Sequence, residues 1–175
     1  YSKEEYFKKL AALQLNTWSG LQAAQTQAYE FWGKFPNKYH QGIKNLNSEG
    51  AYVSHSKNVH SGYLVREGED LKYVQYLQLP PNKDCYDHSI WGGNNNLTYE
   101  CAVCGYNTSN IKFCFESWEN LRDLEYCGYC VSSSNLFGCF GLKKKEYCIL
   151  NKQYSKDDYF KMREKIIKHM EEMPY

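Results

Sequence analysis

Eight cysteines, at positions 85, 101, 104, 114, 127, 130, 139 and 148, are the residues of this 175-residue chain with the most obvious chemistry. Cys101-x-x-Cys104 and Cys127-x-x-Cys130 form a paired CxxC arrangement, the donor set of a tetrathiolate zinc centre, because four thiolates satisfy a tetrahedral ion. The same spacing has a second explanation. The two pairs lie 26 residues apart, and if that distance is a structural period, equivalent positions simply recur as a ladder of buried, reduced thiols that behave as small hydrophobes. Disulfides are the third reading, and the lack of a secretion signal argues against them. No metal or cofactor is therefore expected; if zinc is bound, its ligands are Cys101, Cys104, Cys127 and Cys130.

The histidines are His40, His55, His60, His88 and His169. None belongs to an HExxH motif, a Cys-His zinc finger or a nucleophile elbow. Asp84, Asp87 and His88 are close in sequence, and a carbohydrate-active enzyme would use them, with Asp123 or Glu125, as its carboxylates and base. No spacing among them is diagnostic, so their first reading is as corner and surface residues. Asn96-Leu97-Thr98 and Asn107-Thr108-Ser109 match a glycosylation sequon but read as turns. Lys143-Lys144-Lys145 reads as a solvated corner, because three lysines are too few to carry phosphate affinity.

What must position these residues is a repeat. An Asn or Asp followed by an aliphatic residue or Cys starts at Asn45, Asn58, Asp70, Asp84, Asn96, Asn110, Asp123 and Asn135, in steps of 13, 12, 14, 12, 14, 13 and 12 residues. Such regularity over nearly a hundred residues is the mark of a solenoid. Leu71/Tyr73, Leu97/Tyr99/Cys101, Ile111/Phe113/Phe115 and Leu124/Tyr126 suggest alternation at period two, hence strands with one buried set. The opening Asn or Asp suits a tight corner. Thirteen residues at about 3.3 Å give a perimeter of only about 43 Å, while opposed walls need about 10 Å between them. Two units per turn are therefore expected: a short, right-handed parallel β-helix of about 26 residues per coil and about four coils. Asp84 should then stack on Asn110, Tyr73 on Tyr99, Tyr99 on Tyr126 and Cys101 on Cys127, with Leu71, Leu97 and Leu124 in one column. An antiparallel sandwich also has short strands at regular spacing, but its hairpins would not require equivalent residues in each unit.

Helices are expected at both ends. Residues 1–15 open with a Ser2/Glu5 capping box and carry the stripe Tyr6, Phe7, Leu10 and Leu13. A second helix runs from Ser19 to Trp32, stopped by Gly33 and Pro36, and a third from Ser155 to Met173 with the stripe Tyr159, Met162, Ile166 and Met170. The divisions are a helical cap at 1–42, a solenoid at 43–153 and a closing helix at 154–175. Tyr1-Ser2-Lys3-Glu4-Glu5-Tyr6-Phe7-Lys8 and Tyr154-Ser155-Lys156-Asp157-Asp158-Tyr159-Phe160-Lys161 are identical at six of eight positions. The first copy thus reads as the end of a preceding module, and the chain as a fragment of a longer polypeptide with neighbouring modules as partners.

Lys and Arg number 21 against 20 Asp and Glu, for a net charge of +1, so no field draws the chain to nucleic acid or anionic membrane. No apolar run approaches the ~20 residues of a membrane span. Aromatic residues are 17% of the chain, with 17 Tyr, 8 Phe and 4 Trp. Rings stacking coil on coil account for most of them, and an exposed row would be a platform for a glycan or protein partner. A cytoplasmic location is expected.

The run from Asn135 to Lys156, NLFGCFGLKKKEYCILNKQYSK, resembles a segment written LFGC-GL-K-YCILNKQYSKEEY in Cys- and Tyr-rich bacterial repeat proteins of uncharacterised function. The likeness extends over the repeat region and both flanks. Relatives often carry an N-terminal zinc ribbon and sometimes successive repeat regions; residues 1–175 contain no such ribbon, so no zinc role carries over, and since the family has no established activity the resemblance implies no catalytic residue. The expected function is a non-enzymatic solenoid scaffold or binding module. The alternatives are a carbohydrate-active lyase or hydrolase on a β-helix, and a zinc-stabilised structural module.

Overall fold

The computed structural model describes residues 1–36 and 40–173; residues 37–39 and 174–175, which fall in the predicted 1–42 and 154–175 segments, lie outside them. The chain divides into two compact units, Tyr1–Tyr39 and His40–Tyr175. The first holds helices α1 (Lys3–Ala12) and α2 (Trp18–Trp32). Ser2 and Glu5 form the expected capping box on α1, and Thr17 caps α2 by accepting from the Gly20 N–H. Gly20 is the one buried residue of these two helices, packed so closely on the Gln14 carbonyl that a Cβ would meet it at 2.1 Å.

The second unit is an eleven-stranded sheet in sequence order: β1 (Gln41–Ile43), β2 (Gly50–Ser54), β3 (Lys57–Arg66), β4 (Gly68–Leu77), β5 (Leu79–Ser89), β6 (Gly93–Ala102), β7 (Tyr106–Lys112), β8 (Leu121–Glu125), β9 (Ser134–Phe137), β10 (Glu146–Ile149) and β11 (Lys152–Gln153). Neighbours are parallel throughout β1 to β10. It is a parallel β-solenoid of about eight turns with helices at both ends of the chain. Helix α3 (Lys156–Glu172) follows β11. Among the described residues, no helix is long and apolar enough to cross a membrane.

The expected coil of 26 residues is corrected to half that length. Val59 pairs with Leu71, Leu71 with Cys85, Cys85 with Thr98, Thr98 with Ile111, Ile111 with Leu124, Leu124 with Leu136 and Leu136 with Cys148, so each turn takes 12 to 14 residues. Asp84 and Asn110, Tyr73 and Tyr99, Tyr99 and Tyr126, and Cys101 and Cys127 are therefore two turns apart. Leu97 is exposed, and Thr98 takes its place in the column between Leu71 and Leu124.

A turn this short is possible because no separate corner loops are needed. Every third residue has positive φ, as at Asn58, Ser61, Leu64, Glu67, Asp70, Tyr73 and Tyr76, and the residue that follows each points inward. The true core period is three rather than two. Four such triplets make a four-sided turn of twelve residues with sides of about 10 Å, which equals the wall-to-wall distance of packed sheets. Residues beyond twelve are absorbed at corners, as at Gln78–Pro81 and at Glu119–Asn120, where both φ values are positive.

The bore admits four modest side chains per turn. Ser56, Val59, Gly62 and Val65 fill one turn; Gly68, Leu71, Val74 and Leu77 fill the next. Large residues are matched by small ones in the same layer: a Cβ on Gly68 would meet Leu71 Cδ1 at 2.3 Å. Early turns are aliphatic, from Val53 to Cys85, and later turns combine Ile111, Leu121, Leu124 and Leu136 with thiols. Between these clusters lies a buried polar belt of Asn82, His88, Asn95, Thr98 and Thr108.

The solenoid ends by folding back: β11 pairs antiparallel with β10 and covers part of its free edge. Helix α3 lies along the side of the last turns, where Tyr159, Ile166, Ile167 and Met170 pack with Phe137 and Ile149.

Candidate functional site

All eight thiols are buried and unpaired. Cys101, Cys114, Cys127 and Cys139 occupy one inward column on four successive turns, while Cys104, Ser117 and Cys130 occupy the next. Each sulfur points at backbone carbonyls, Cys101 Sγ at Ile111 O (3.5 Å) and Cys104 Sγ at Cys114 O (3.2 Å), as a thiol donor does. Burial pushes the Cys85 thiol up to about 11. The four proposed zinc ligands do not converge. Cys101/Cys104 and Cys127/Cys130 sit two turns apart, about 9 to 10 Å, with Cys114 and Ser117 between them, whereas a zinc ion holds every sulfur at about 2.3 Å. Among the described residues, no three His, Cys, Asp or Glu side chains are grouped to hold a metal ion.

Asp84, Asp87 and His88 do not meet either. Asp84 and Asp87 are positive-φ corner residues, half-buried and exposed respectively, facing outward. His88 is fully buried; its Nε2 lies 3.0 Å from Trp91 O and its Nδ1 3.0 Å from Thr98 Oγ1. The carbonyl can only accept, so Nε2 carries the proton and Thr98 donates to Nδ1. Burial lowers the His88 pKa and keeps the ring neutral. Asp123 accepts from Asn110 at 2.7 Å and pairs with Arg122 at 3.6 Å.

Outward groups along the solenoid are largely engaged with one another. Asn47 donates to Asn58 and Asn58 to Asp70, while Asn94 donates to Asn107 and Asn107 to Asn120, at 2.7–3.1 Å. Rings do the same. Tyr99, Phe113, Tyr126 and Phe137 form a ladder with centroids 5.5, 4.7 and 5.4 Å apart, the middle pair parallel to within 6°. Phe115, Tyr129 and Phe140 form a second ladder, edge to face at 5.7 and 5.1 Å. One pair stacks and the others meet edge to face, so successive rings do not share a plane as in a flat platform for sugar stacking.

The most built part of the surface is where α3 meets the solenoid. Lys112, Glu125, Phe137 and Ile149 form one outward column through pairing of β7 to β10. Arg163 of α3 donates to Glu125 through Nε at 3.0 Å and Nη2 at 2.8 Å, a two-pronged pair, and Lys112 Nζ lies 3.6 Å from the same carboxylate. The Glu125 side chain is only 13% exposed. Tyr159, one turn before Arg163 on the helix, is 2% exposed, and its ring meets Tyr147 edge-on at 5.8 Å. Burial pushes its hydroxyl pKa up. Beside this pair runs a groove of about 460 Å³ lined by Phe113, Tyr126, Ile167 and Met170 among others.

No protein-family model, no curated protein and no solved structure matches this chain. The geometry therefore stands by itself. Sequence reasoning placed Tyr159, Ile166 and Met170 on the buried stripe of α3, but Met162 is exposed and Arg163 takes its place. One signal was present: Arg163 is the single arginine of α3, spaced four residues from Tyr159 and from Ile167, hence on their face.

Proposed function

We propose that this chain is a non-catalytic scaffold whose solenoid presents a lateral face for docking an amphipathic helix, α3 being the built-in example. The observation that carries this is the seating of α3: a buried tyrosine, an apolar stripe and a two-pronged Arg163–Glu125 pair on one outward column. Such a combination of ring anchor, apolar groove and oriented charge is how helix-in-groove recognition works. The scattered placement of Asp84, Asp87 and His88 supports a binding role over polysaccharide cleavage. The segment from Asn135 to Lys156 supports membership of the Cys- and Tyr-rich bacterial repeat proteins, and with it neighbouring modules of the same polypeptide as partners. Eight free thiols support a reducing compartment such as the cytoplasm.

The test is to vacate the face. In the chain of residues 1–175, Tyr159→Ala/Arg163→Ala should release α3, and a synthetic peptide of residues 154–173 should then bind one to one, with chemical-shift changes centred on Phe137, Tyr147 and Ile149. A peptide that leaves those signals unmoved, or polysaccharide turnover by the unaltered chain in a hydrolase and lyase screen, defeats the reading.

A further inference from the structure

The duplicated octapeptide is more than a sequence likeness. Ser2 accepts from the Glu5 N–H at 3.2 Å, and Ser155 accepts from the Asp158 N–H at 3.2 Å, so the two helices start in the same way. Tyr6 and Phe7 stand edge to face at 5.5 Å and 77°; Tyr159 and Phe160 do so at 5.3 Å and 80°. The same ring pair is thus held in the same geometry at the same place on both helices.

Their surroundings differ. In α3 the Tyr159–Phe160 pair meets Tyr147, Tyr159 is 2% exposed, and Tyr154 packs with the same cluster. In α1 no residue is buried, with Tyr1 89%, Tyr6 54% and Phe7 54% exposed. A helix of ten residues has little stability of its own in water, so its apolar face needs a partner.

We propose that α1 is a docking helix for the closing face of a second solenoid of this construction, seated there as α3 is seated on its own. The partner follows from the match itself, because among the described residues the surface that receives a Tyr-Phe pair so presented is the one formed by Phe137, Tyr147 and Ile149. This rests on the helix-docking reading above. It also specifies how the partner face differs. Aligned on the octapeptide, Leu10 stands where α3 has Arg163. A leucine cannot pair with the nearly buried Glu125, so the face that takes α1 has an apolar residue at that position.

The chain of residues 1–175 can report this. Tyr159→Ala/Arg163→Ala with Glu125→Leu offers α1 of another copy a vacant, apolar-adapted face. Sedimentation should show head-to-tail association that grows with concentration, is competed by a peptide of residues 1–17, and disappears when Tyr6→Ala and Phe7→Ala are added. A monomer at every concentration, or association indifferent to Tyr6 and Phe7, overturns the proposal; if the 154–173 peptide still binds the Tyr159→Ala/Arg163→Ala face, the docking reading itself survives.

Should that variant lose its β-sheet signal, the α1 sequence can be tested in the α3 position. Asp157→Glu, Asp158→Glu, Met162→Lys and Arg163→Leu convert residues 154–163 to residues 1–10. These changes should lower the melting temperature while Glu125 is present, and adding Glu125→Leu should recover most of the loss. Failure of Glu125→Leu to recover any of it overturns the proposal.

Discussion

At the scale of single residues, the solenoid depends on what tolerates the left-handed corner. Asn and Asp suit it, and Asn58, Asp70, Asp84, Asn110, Asp123 and Asn135 all occupy it. Val103, at φ 54°, is a β-branched residue in the same conformation and is strained there. Val103→Asn should therefore raise stability by about 1 kcal/mol, while Asn110→Val, which also removes the 2.7 Å bond to Asp123, should lower it by about 1–3 kcal/mol. Denaturant midpoints decide this; equal and opposite signs from those expected would mean the corners are not the sites of strain. His88 supplies a pH dependence. Its pKa is lowered in the folded state from an ordinary 6.5, so the unfolded chain takes up a proton first as pH falls. The His88 contribution is complete above about pH 6.5 and is lost below it, down to the lowered value. His88→Gln should flatten that part of the melting-temperature profile between pH 7 and 5, and an unchanged slope would exclude His88 as its source.

Among elements, the junction of α3 with the solenoid is where a small change should have a local and readable effect. Arg163→Ala leaves Glu125 nearly buried with only Lys112 nearby, a loss of about 1–3 kcal/mol in helix docking. Tyr159→Ala removes a 2% exposed ring and should cost about 3–5 kcal/mol, enough to free the helix. Amide exchange along residues 156–172 should rise to solvent-like rates in Tyr159→Ala while Ile111 and Leu124 stay protected; if those core amides lose protection as well, the helix is integral to the sheet. These elements were unequally legible in the sequence. Helix starts were readable because Ser2 and Ser155 announce them chemically, and the 13-residue repeat was readable because Asn or Asp takes the left-handed corner in six of its eight units, with Asn45 and Asn96 each one residue away from it, beside Lys44 and Leu97. The other three corners are taken by residues such as Leu64, Tyr73, Phe113 and Tyr129, which carry no mark of left-handed backbone. Their period of three was thereby hidden, and the accidental pairing of Leu71 with Tyr73 and Leu124 with Tyr126 imitated a period of two. The coil was doubled for the same reason: the perimeter estimate reserved length for corners that single residues supply. Thiol spacing then followed the doubled coil, making neighbours of Cys101 and Cys127 when Cys114 lies between them.

For the molecule as a whole, each turn touches only the turn before and the turn after, since every strand pairs with its sequence neighbours. Stability is then close to a sum of turns and their interfaces, and it can fail in parts. The polar belt is where such a chain should divide. On one side lie Val53, Val59, Val65, Leu71, Val74, Leu77 and Cys85; on the other lie Ile111, Leu121, Leu124, Leu136 and the other seven thiols. Asn82, His88, Asn95, Thr98 and Thr108 between them bury polar groups that add little apolar contact; most are held by hydrogen bonds, but among the described residues Asn82 Oδ1 has no partner. The two sides also differ in their last strands: β1 is exposed at all three residues, whereas β10 is covered by β11 and braced by α3. Leu71→Ala, expected to cost about 2–5 kcal/mol, should therefore open the turns from Val53 to Cys85 and leave Ile111, Leu124 and Leu136 protected from amide exchange. Leu124→Ala should weaken protection on its own side first. Equal loss of protection from Val53 to Ile149 in either variant would show one cooperative body, and the belt would then have to be a joint as strong as the apolar turns on either side of it.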